Sequence, residues 1–110
     1  MDCIFCKIVS GELPSTRLYE DEEMVVFQDI APAAPVHYLA IPKAHIPGVD
    51  GITGENSAVA AHIFEKIAAL TAEKGITDYR IVSNVGEEAG QTVRHLHFHI
   101  LAGRLGGPLY

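Results

Sequence analysis

The sequence is short of basic residues, of long apolar runs and of cysteine, and each shortage excludes a class of protein. Eight Lys and Arg against fourteen Asp and Glu give a net charge of −6, which argues against nucleic-acid binding because a nucleic-acid backbone attracts clustered cations. No apolar run approaches the length of a membrane span, and no basic start precedes an apolar stretch, so we expect a cytoplasmic protein that does not bind membranes. In that reducing compartment, the two cysteines favour thiols or metal ligands over a disulfide.

Repeats, linkers and low-complexity segments are also missing, so we expect a single domain over residues 1–110. The hydrophobic content of 48% and the charged content of 20% are typical of a globular protein. A domain of this size is only marginally stable alone, which makes a homodimer a reasonable expectation.

Turn residues and hydrophobic periodicity predict five strands, one long helix and a short N-terminal helix. Short connections between most neighbouring strands favour an α+β fold with an antiparallel sheet, whereas a parallel Rossmann-type sheet would need helical crossovers. Thr53 is expected to cap the long helix and Gly75 to end it. The predicted elements are a short helix within residues 3–9, strands at 16–19, 24–27, 37–41, 79–84 and 93–101, and the long helix at 56–74.

Three histidines at alternating positions are the most informative feature of the chain. His95, His97 and His99 are separated by Leu96 and Phe98, and further apolar residues follow. Side chains of a strand alternate between its faces, so the histidines should share one face while the apolar residues point into the core. Imidazole exchanges protons near neutral pH, which makes such a row suited to chemistry.

This histidine run allows three interpretations. A solvent-facing polar strand is disfavoured, because three of the six histidines would have to reach alternating positions by chance. A metal ion could bind two of them, but the outer pair of one regular strand would be roughly 13–14 Å apart. Acid–base or nucleophilic chemistry on a substrate lying along the strand fits best. The preceding loop, residues 84–92, agrees with this because its glycines permit close approach of a phosphate.

The histidine run and the Gly90-Gln91-Thr92-Val93 segment before it resemble the histidine triad (HIT) family. The similarity continues upstream through residues 4–8, 27–30 and 35–45, so it spans nearly the whole chain. It implies a HIT-like fold and a homodimer in which the 79–84 strands or the long helices pair across a two-fold axis.

Two details refine the resemblance. Ala102-Gly103-Arg104 resembles the Hint-like branch of nucleoside phosphoramidases. His99 stands where the transferase branch has Gln, which favours hydrolysis.

The resemblance implies a covalent mechanism. His97 would attack the α-phosphorus of a nucleoside 5′-phosphoramidate or a related nucleotidyl substrate, and water would then release the nucleoside monophosphate. The resemblance implies roles for four other catalytic residues. The main-chain carbonyl of His95 would hold the His97 ring, and His37 would support the other imidazoles. His99 and Thr92 would contact the phosphate and help the leaving group depart.

The resemblance also implies a site for a purine nucleotide substrate. Asp29 would bind the ribose hydroxyls, and His97, His99 and Thr92 would contact the phosphate group. Asn84 and the backbone around Gly90 and Gln91 would hold that phosphate as preorganised donors. The base would lie among Ile4, Phe5, Phe27, Ile30 and Leu39, although ordinary core packing explains these apolar residues equally well.

Cys3 and Cys6 form a Cys-x-x-Cys pair, which by itself suits either thiol redox chemistry or half of a zinc site. The βαβ context of a thioredoxin-like protein is missing, which weakens the redox interpretation. Zinc needs two further ligands, for which His45 and His95 are the candidates, and the resemblance favours this set because several prokaryotic HIT proteins have a Cys₂His₂ site. Four protein ligands would make the zinc structural. No organic cofactor is expected.

Two alternative functions stay open at this point. The chain could be a nucleotide-binding or partner-binding module with weak catalysis, or a dinucleoside polyphosphate hydrolase. His62, in the predicted long helix, is expected to be an ordinary surface or packing residue.

Overall fold

The computed structural model describes residues 3–103 and confirms the predicted α+β class with an antiparallel five-stranded sheet. The strands lie in the order β1-β2-β3-β5-β4, and every neighbouring pair is antiparallel. Arg104, the last residue of the predicted Hint-like motif, lies outside the described residues. The elements are α1 (Ile4–Ser10), β1 (Arg17–Glu20), β2 (Met24–Gln28), β3 (Val36–Pro42), α2 (Ser57–Glu73), β4 (Tyr79–Val82) and β5 (Phe98–Ala102), with short 3₁₀ helices at Val49–Gly51 and Glu87–Ala89.

The two faces of the sheet pack against different helices. Met24 and Val26 of β2 belong to the cluster that includes Ile63 and Ile67 of α2, whereas Val25 and Phe27, which alternate with them, pack with α1. The alternation follows from the period of two along a strand. We call these the α2 face and the α1 face, and the candidate site lies on the α1 face.

The alternation predicted for the histidine run is confirmed, but the predicted strand is wrong at its start. Leu96 and Phe98 lie in the cluster of the α2 face, while the rings of His95 and His97 contact Phe5 of α1. However, β5 begins only at Phe98, and residues 93–97 are irregular.

The end of β4 explains the short β5. β4 stops at Val82 rather than at the predicted residue 84, and Val82 lies opposite His99, so this ladder ends before His97. The irregular segment bonds elsewhere, because the Leu96 N–H donates to the carbonyl of Ile46 at 2.6 Å.

The structure confirms the residue predicted to end α2 but not the residue predicted to cap its start. Gly75 follows the C-cap with φ +70°, which confirms its predicted role because glycine adopts this conformation readily. The cap predicted for Thr53 is wrong, since Asn56 holds the N-cap position. The Thr53 Oγ1 instead accepts from the Glu55 N–H at 3.2 Å, outside the helix.

His62 joins α2 to the β1–β2 hairpin. Its Nε2 lies 2.6 Å from the Asp21 carboxylate, which also accepts from the Tyr19 hydroxyl at 2.7 Å. The sequence offered no sign of this partner 41 residues away. Over residues 3–103, neither helix has the length and apolar character needed to cross a membrane.

Candidate active site

A cavity of about 720 Å³ opens between α1 and the adjoining face of the sheet. It brings together residues from the N-terminal helix, the end of β2, β3, the loop after β4 and the histidine run, which are distant in sequence. The predicted site residues in its lining are Ile4, Phe5, Phe27, Asp29, Ile30, Leu39, Asn84, Gly90, Thr92, His97 and His99.

The apolar residues predicted to enclose the base lie in two parts of the cavity, its buried floor and its exposed rim. Phe5, Phe27 and Leu39 are buried, and the Phe5 and Phe27 rings meet edge to face with centroids 5.8 Å apart. Ile4 and Ile30 are 52% and 97% exposed, so they edge the mouth of the cavity. Such a partly apolar cleft suits the flat face of an aromatic ligand.

His97 presents one ring nitrogen as an acceptor. Its Nδ1 lies 2.7 Å from the carbonyl oxygen of His95, and a carbonyl only accepts, so Nδ1 carries the proton. The lone pair of the neutral ring is therefore on Nε2. Burial lowers the pKa of His97, which keeps the ring neutral near pH 7.

His99 presents the opposite kind of nitrogen, because a chain of bonds sets its tautomer. The main-chain N–H of Ala33 donates to His37 Nδ1 at 3.0 Å, which places the His37 proton on Nε2. This Nε2 lies 2.9 Å from His99 Nδ1 and donates to it, so the neutral His99 ring carries its own proton on Nε2. His99 thus offers an N–H donor to the cavity that it lines.

The paired imidazoles, His37 and His99, are held neutral by their surroundings. Burial lowers the pKa of His37 and is only partly offset by the nearby Asp29 carboxylate. Burial, together with the neighbouring His97 and His37 rings, lowers the pKa of His99 to about 4. His37 is 3% exposed and reaches the cavity through His99 rather than lining it.

Asp29 follows β2 and lies at the side of the cavity. Its Oδ1 accepts from the Ala31 N–H at 2.8 Å, which fixes the carboxylate, and its Oδ2 is 3.5 Å from His37 Nε2. The carboxylate remains partly exposed, with 16% of its side-chain surface open to solvent. It can accept hydrogen bonds from a ligand hydroxyl at this edge.

The loop between β4 and β5 brings amide and hydroxyl groups to the cavity. Gly90 has φ +95°, and a Cβ at this position would lie 3.2 Å from Asn84 Nδ2, so glycine suits both the turn and the close contact. Thr92 is exposed and also borders a second, smaller cavity of about 350 Å³.

The side chain of Gln91 bonds to the main chain beside the cavity, whereas the prediction concerned the backbone around Gly90 and Gln91. Its Oε1 accepts from the Gly86 N–H at 2.8 Å, and its Nε2 donates to the carbonyl of Pro47 at 2.8 Å. The Gln91 N–H also bonds to the carbonyl of Gly86. Of the predicted nucleotide-binding residues in the described chain, Gln91 alone lies outside the lining, because its polar groups brace the loop.

Four potential metal ligands meet beside the cavity, and we call them the cysteine–histidine cluster: Cys3, Cys6, His45 and His95. Their ligand atoms all lie within 4.8 Å of one another. Cys3 Sγ is 3.3 Å from His95 Nδ1, and Cys6 Sγ is 3.3 Å from His45 Nδ1. Tetrahedral zinc, with bonds of about 2.0–2.1 Å to nitrogen and 2.3 Å to sulfur, would separate its ligand atoms by roughly 3.3–3.8 Å. The donor set and its spacing therefore fit a zinc ion.

Two features arrange the ligands of this cluster: the first turn of α1 and a hydrogen bond from His95 to a main-chain carbonyl. Cys3 is the N-cap of α1 and Cys6 lies in its first turn, so one helical turn brings both thiols to the same end. His95 Nε2 lies 2.9 Å from the carbonyl of Pro42 and must donate to it, which leaves a lone pair on Nδ1. Burial lowers the pKa of His95, which also favours the neutral ligand form. The His95 ring thus belongs to the cluster, and only its carbonyl serves His97.

Sequence reasoning missed part of the cavity wall. Ile8 could have been found, because it lies one helical turn after Ile4 and shares its face. The others carry no pattern that predicts a binding site. The missed lining residues are Ile8, Leu13, Pro14, Ser15, Gln28, Ala31, Ala89 and Val93.

Known proteins resemble this chain along most of its length. The family model described as "Scavenger mRNA decapping enzyme C-term binding" matches residues 2–108. An uncharacterized HIT-like protein of Synechococcus elongatus is 45% identical over 104 residues, covering 94% of this chain and 91% of that protein. The purine nucleoside phosphoramidase of Escherichia coli is 36% identical over 110 residues, covering 98% of this chain and 92% of that protein.

Solved structures show the same fold. A HIT family hydrolase from Clostridium thermocellum superposes with a TM-score of 0.92 at 46% identity, covering 98% of this chain and 96% of that chain. A histidine triad protein from Clostridium difficile gives 0.91 at 45% identity, covering 100% and 96%. The predicted HIT-like fold is confirmed.

Proposed function

Because this chain belongs to the histidine triad (HIT) family of hydrolases, we propose that it cleaves nucleoside 5′-phosphoramidates through a covalent intermediate on His97. The observation that carries the proposal is the orientation of the His97 ring. Its Nδ1–H is bound to the carbonyl of His95 and its ring lines the cavity, so Nε2 is the atom that can attack. The similarity to the purine nucleoside phosphoramidase supports a purine nucleotide as substrate.

Two steps account for the reaction. First, His97 Nε2 bonds to the α-phosphorus while the bond from phosphorus to the leaving nitrogen breaks. This nitrogen takes a proton from solvent and leaves as the amine, while the Nε2–H of His99 donates a hydrogen bond to the phosphate oxygens. Second, water attacks the phosphorus, the bond to His97 breaks, and the proton lost by the water passes to solvent. Nucleoside monophosphate and amine are the products, and the His97 ring regains its first state.

The remaining groups bind the substrate in this proposal. The base lies over Phe5, Phe27 and Leu39 beside Ile4 and Ile30, and Asp29 accepts from the ribose hydroxyls. Asn84, Thr92 and the backbone at Gly90 donate to the phosphate oxygens, which is how preorganised donors stabilise developing charge. His37 acts through His99, and His95 acts through its carbonyl.

The test uses adenosine 5′-phosphoramidate as substrate. Wild-type protein should release AMP, and samples quenched in denaturant at alkaline pH, where a bond from phosphorus to histidine survives, should contain a protein species heavier by one adenylyl group. His97→Ala should lose the adduct and reduce kcat by roughly 10⁴-fold or more. His62→Gln, which lies outside the cavity, serves as the control and should keep both. Binding of AMP without turnover by the wild type would contradict the proposal and favour a binding module.

A dinucleoside polyphosphate hydrolase is the second candidate, because the same nucleophile could attack a phosphoanhydride. The smaller cavity, which shares Thr92 with the larger one, leaves room for a bulky leaving group. Diadenosine polyphosphates and the phosphoramidate should therefore be compared under one set of conditions. A higher kcat/KM for the dinucleotides would favour this alternative.

We also propose that the cysteine–histidine cluster binds a structural zinc ion. The spacing of the four ligand atoms and the tautomer of His95 support it. A zinc ion with four protein ligands has no open position, so it would hold α1 against the segment before His97 rather than bind substrate. Metal analysis of the purified protein tests this directly, and protein that binds no zinc would contradict it.

A homodimer is proposed as the assembled form. β4 lies at one edge of the sheet and Ile81 on it is 39% exposed, while Phe64 of α2 is 45% exposed. Apolar groups on an edge strand and a neighbouring helix favour pairing with a second copy. Light scattering should give twice the chain mass, and Ile81→Lys should shift it towards the monomer. A monomeric wild type at high concentration would contradict the dimer.

A further inference from the structure

The main chain at His97 lies just beyond the end of the sheet. The β3–β5 ladder stops with Ala40 opposite Phe98, and the β4–β5 ladder stops with Val82 opposite His99. The carbonyl of His97 therefore cannot use a further rung of either ladder. Since buried main-chain carbonyls are nearly always paired, another donor is expected here.

Ser83 supplies that donor. Its hydroxyl donates to the carbonyl oxygen of His97 at 2.8 Å, in partly buried surroundings. Ser83 directly follows β4, so its side chain continues the connection between the two chain segments after strand pairing has ended. The bond joins the peptide group of His97 to the end of β4.

This bond restrains His97 in a way that its ring contacts do not. The bond from His97 Nδ1 to the carbonyl of His95 orients the ring relative to its own segment, because both partners lie in the irregular stretch before β5. It does not hold that stretch in place relative to the sheet. The Ser83 hydroxyl does, and a nucleophile must be held within a fraction of an ångström of its line of attack.

Ser83 also links the nucleophile to the loop that borders the cavity. Asn84, the next residue, lines the cavity and lies close to Gly90. Ser83 and Asn84 therefore differ in role: Ser83 bonds to the main chain of His97, and Asn84 forms part of the cavity wall. Among the described residues that line the cavity, Asn84 is included and Ser83 is not, so Ser83 acts without touching the ligand.

We propose that Ser83 is a positioning residue for the attack by His97, holding the main chain of the nucleophile through its hydroxyl. The inference rests on the function proposed above, in which His97 Nε2 attacks phosphorus. It assigns to Ser83 an effect on the chemical step rather than on substrate affinity. A residue that positions the nucleophile without contacting substrate should change kcat and leave KM nearly unaltered.

The experiment compares Ser83→Ala, Ser83→Thr and the control Ser10→Ala. Ser10 also donates from its hydroxyl to a carbonyl, that of Lys7 at 3.0 Å, but at an exposed position of α1. With adenosine 5′-phosphoramidate, Ser83→Ala should lower kcat by roughly 10- to 100-fold, because a slightly misplaced nucleophile loses its alignment. Ser83→Thr keeps the hydroxyl and should restore kcat to within about twofold of wild type, and Ser10→Ala should match wild type in both constants.

A second readout does not depend on turnover. Long-range ¹H–¹⁵N NMR spectra report which ring nitrogen of His97 is protonated. Ser83→Ala should keep the Nδ1–H form of wild type and Ser83→Thr, because the bond to the His95 carbonyl lies within the segment, so its lower kcat would reflect a misplaced ring and not a changed tautomer. A kcat for Ser83→Ala within about twofold of wild type would overturn the inference. So would a parallel change in kcat, KM and melting temperature that Thr does not rescue, because this would indicate a purely structural role. Failure of the wild type to form a nucleotidyl adduct would instead reject the proposed function itself.

Discussion

The cysteine–histidine cluster and the paired imidazoles both bring ring nitrogens close together. In the cluster the His95 nitrogen presents a lone pair, whereas in the pair the His37 nitrogen presents a proton. In the cluster, His95 donates from Nε2 to the carbonyl of Pro42, so its Nδ1 presents a lone pair 3.1 Å from His45 Nδ1. In the pair, the Ala33 N–H donates to His37 Nδ1, so the proton lies on Nε2 and points to His99. The main-chain group on one ring nitrogen thus decides whether the other offers a lone pair or a proton.

The two regions differ in whether their protonation suits the proposed metal ion. Asp29, His37 and His99 also place three potential ligand atoms within 4.8 Å of one another. A metal ion there would need a lone pair on His37 Nε2, where the Ala33 bond requires a proton. The cysteine–histidine cluster has no such conflict at His95, and its thiols add the softer ligands that zinc accepts.

The largest effect should come from disrupting the cluster. Cys6→Ser should abolish stoichiometric zinc binding and lower the melting temperature by roughly 10 °C or more, since the binding energy of a structural metal contributes to folding. Mass spectrometry of the metal content and calorimetry measure the two effects. His37→Gln is the matched change in the other region and should keep the zinc. Equal melting temperatures for zinc-loaded and chelator-stripped wild type would reject the structural role.

Substitutions in the paired imidazoles should lower stability less than disruption of the cluster, but they should clearly lower kcat. His37→Leu removes the proton donor to His99 and should lower kcat by about 10²-fold, the usual contribution of a preorganised hydrogen-bond donor. His37→Gln retains an N–H on its side-chain amide and should lose less. Steady-state kinetics with the phosphoramidate distinguishes them. Identical kcat values for the two variants would mean that the donor has no role.

The pH dependence of stability tests whether His99 is held neutral. Its folded pKa of about 4 lies below the ordinary 6.5, so the unfolded chain binds more protons between these values. Stability should therefore be insensitive to His99 above about pH 6.5 and should fall as the pH drops towards 4. His99→Gln removes this contribution, so its melting temperature should decline less steeply over the same range. A steeper decline for the variant would contradict the assignment.

The smallest effect is expected outside both regions. His62→Gln breaks the contact with Asp21 that joins α2 to the hairpin, and a partly exposed pair of this kind contributes about 1 kcal/mol or less. Zinc content and kcat should stay unchanged. A large loss of activity would show that the hairpin, and not only the two histidine groups, controls the site.

Sequence patterns predicted the arrangement of faces well. Period-two alternation placed the histidine rings on one face and Leu96, Phe98 and Ile100 on the other, as the structure has them. The rule works because side chains of a strand alternate between its faces, and His95, Leu96 and His97 continue that alternation before β5 begins. It does not predict where pairing stops, so the strand predicted from residue 93 starts only at Phe98, where its pairing with β3 begins.

Most residues of the candidate site could be predicted from the sequence, but the contacts that each of them makes could not. Most of the predicted nucleotide-binding residues line the cavity, but Gln91 is used to brace the loop through bonds to Gly86 and Pro47. An amide side chain suits either task, and only the position of the Pro47 carbonyl, 44 residues away, decides between them. The contribution of Ser83 was hidden for the same reason, since its partner lies beyond the end of a ladder.

The sequence by itself determined the local features of the site. Two cysteines three residues apart meet at the start of one helix, and the His97 ring is held by a carbonyl only two residues earlier. The tertiary structure alone decided the states of His95 and His99, because their partners Pro42 and His37 lie 53 and 62 residues away. A tautomer follows from whichever group reaches the far ring nitrogen, and folding, not residue type, brings that group there.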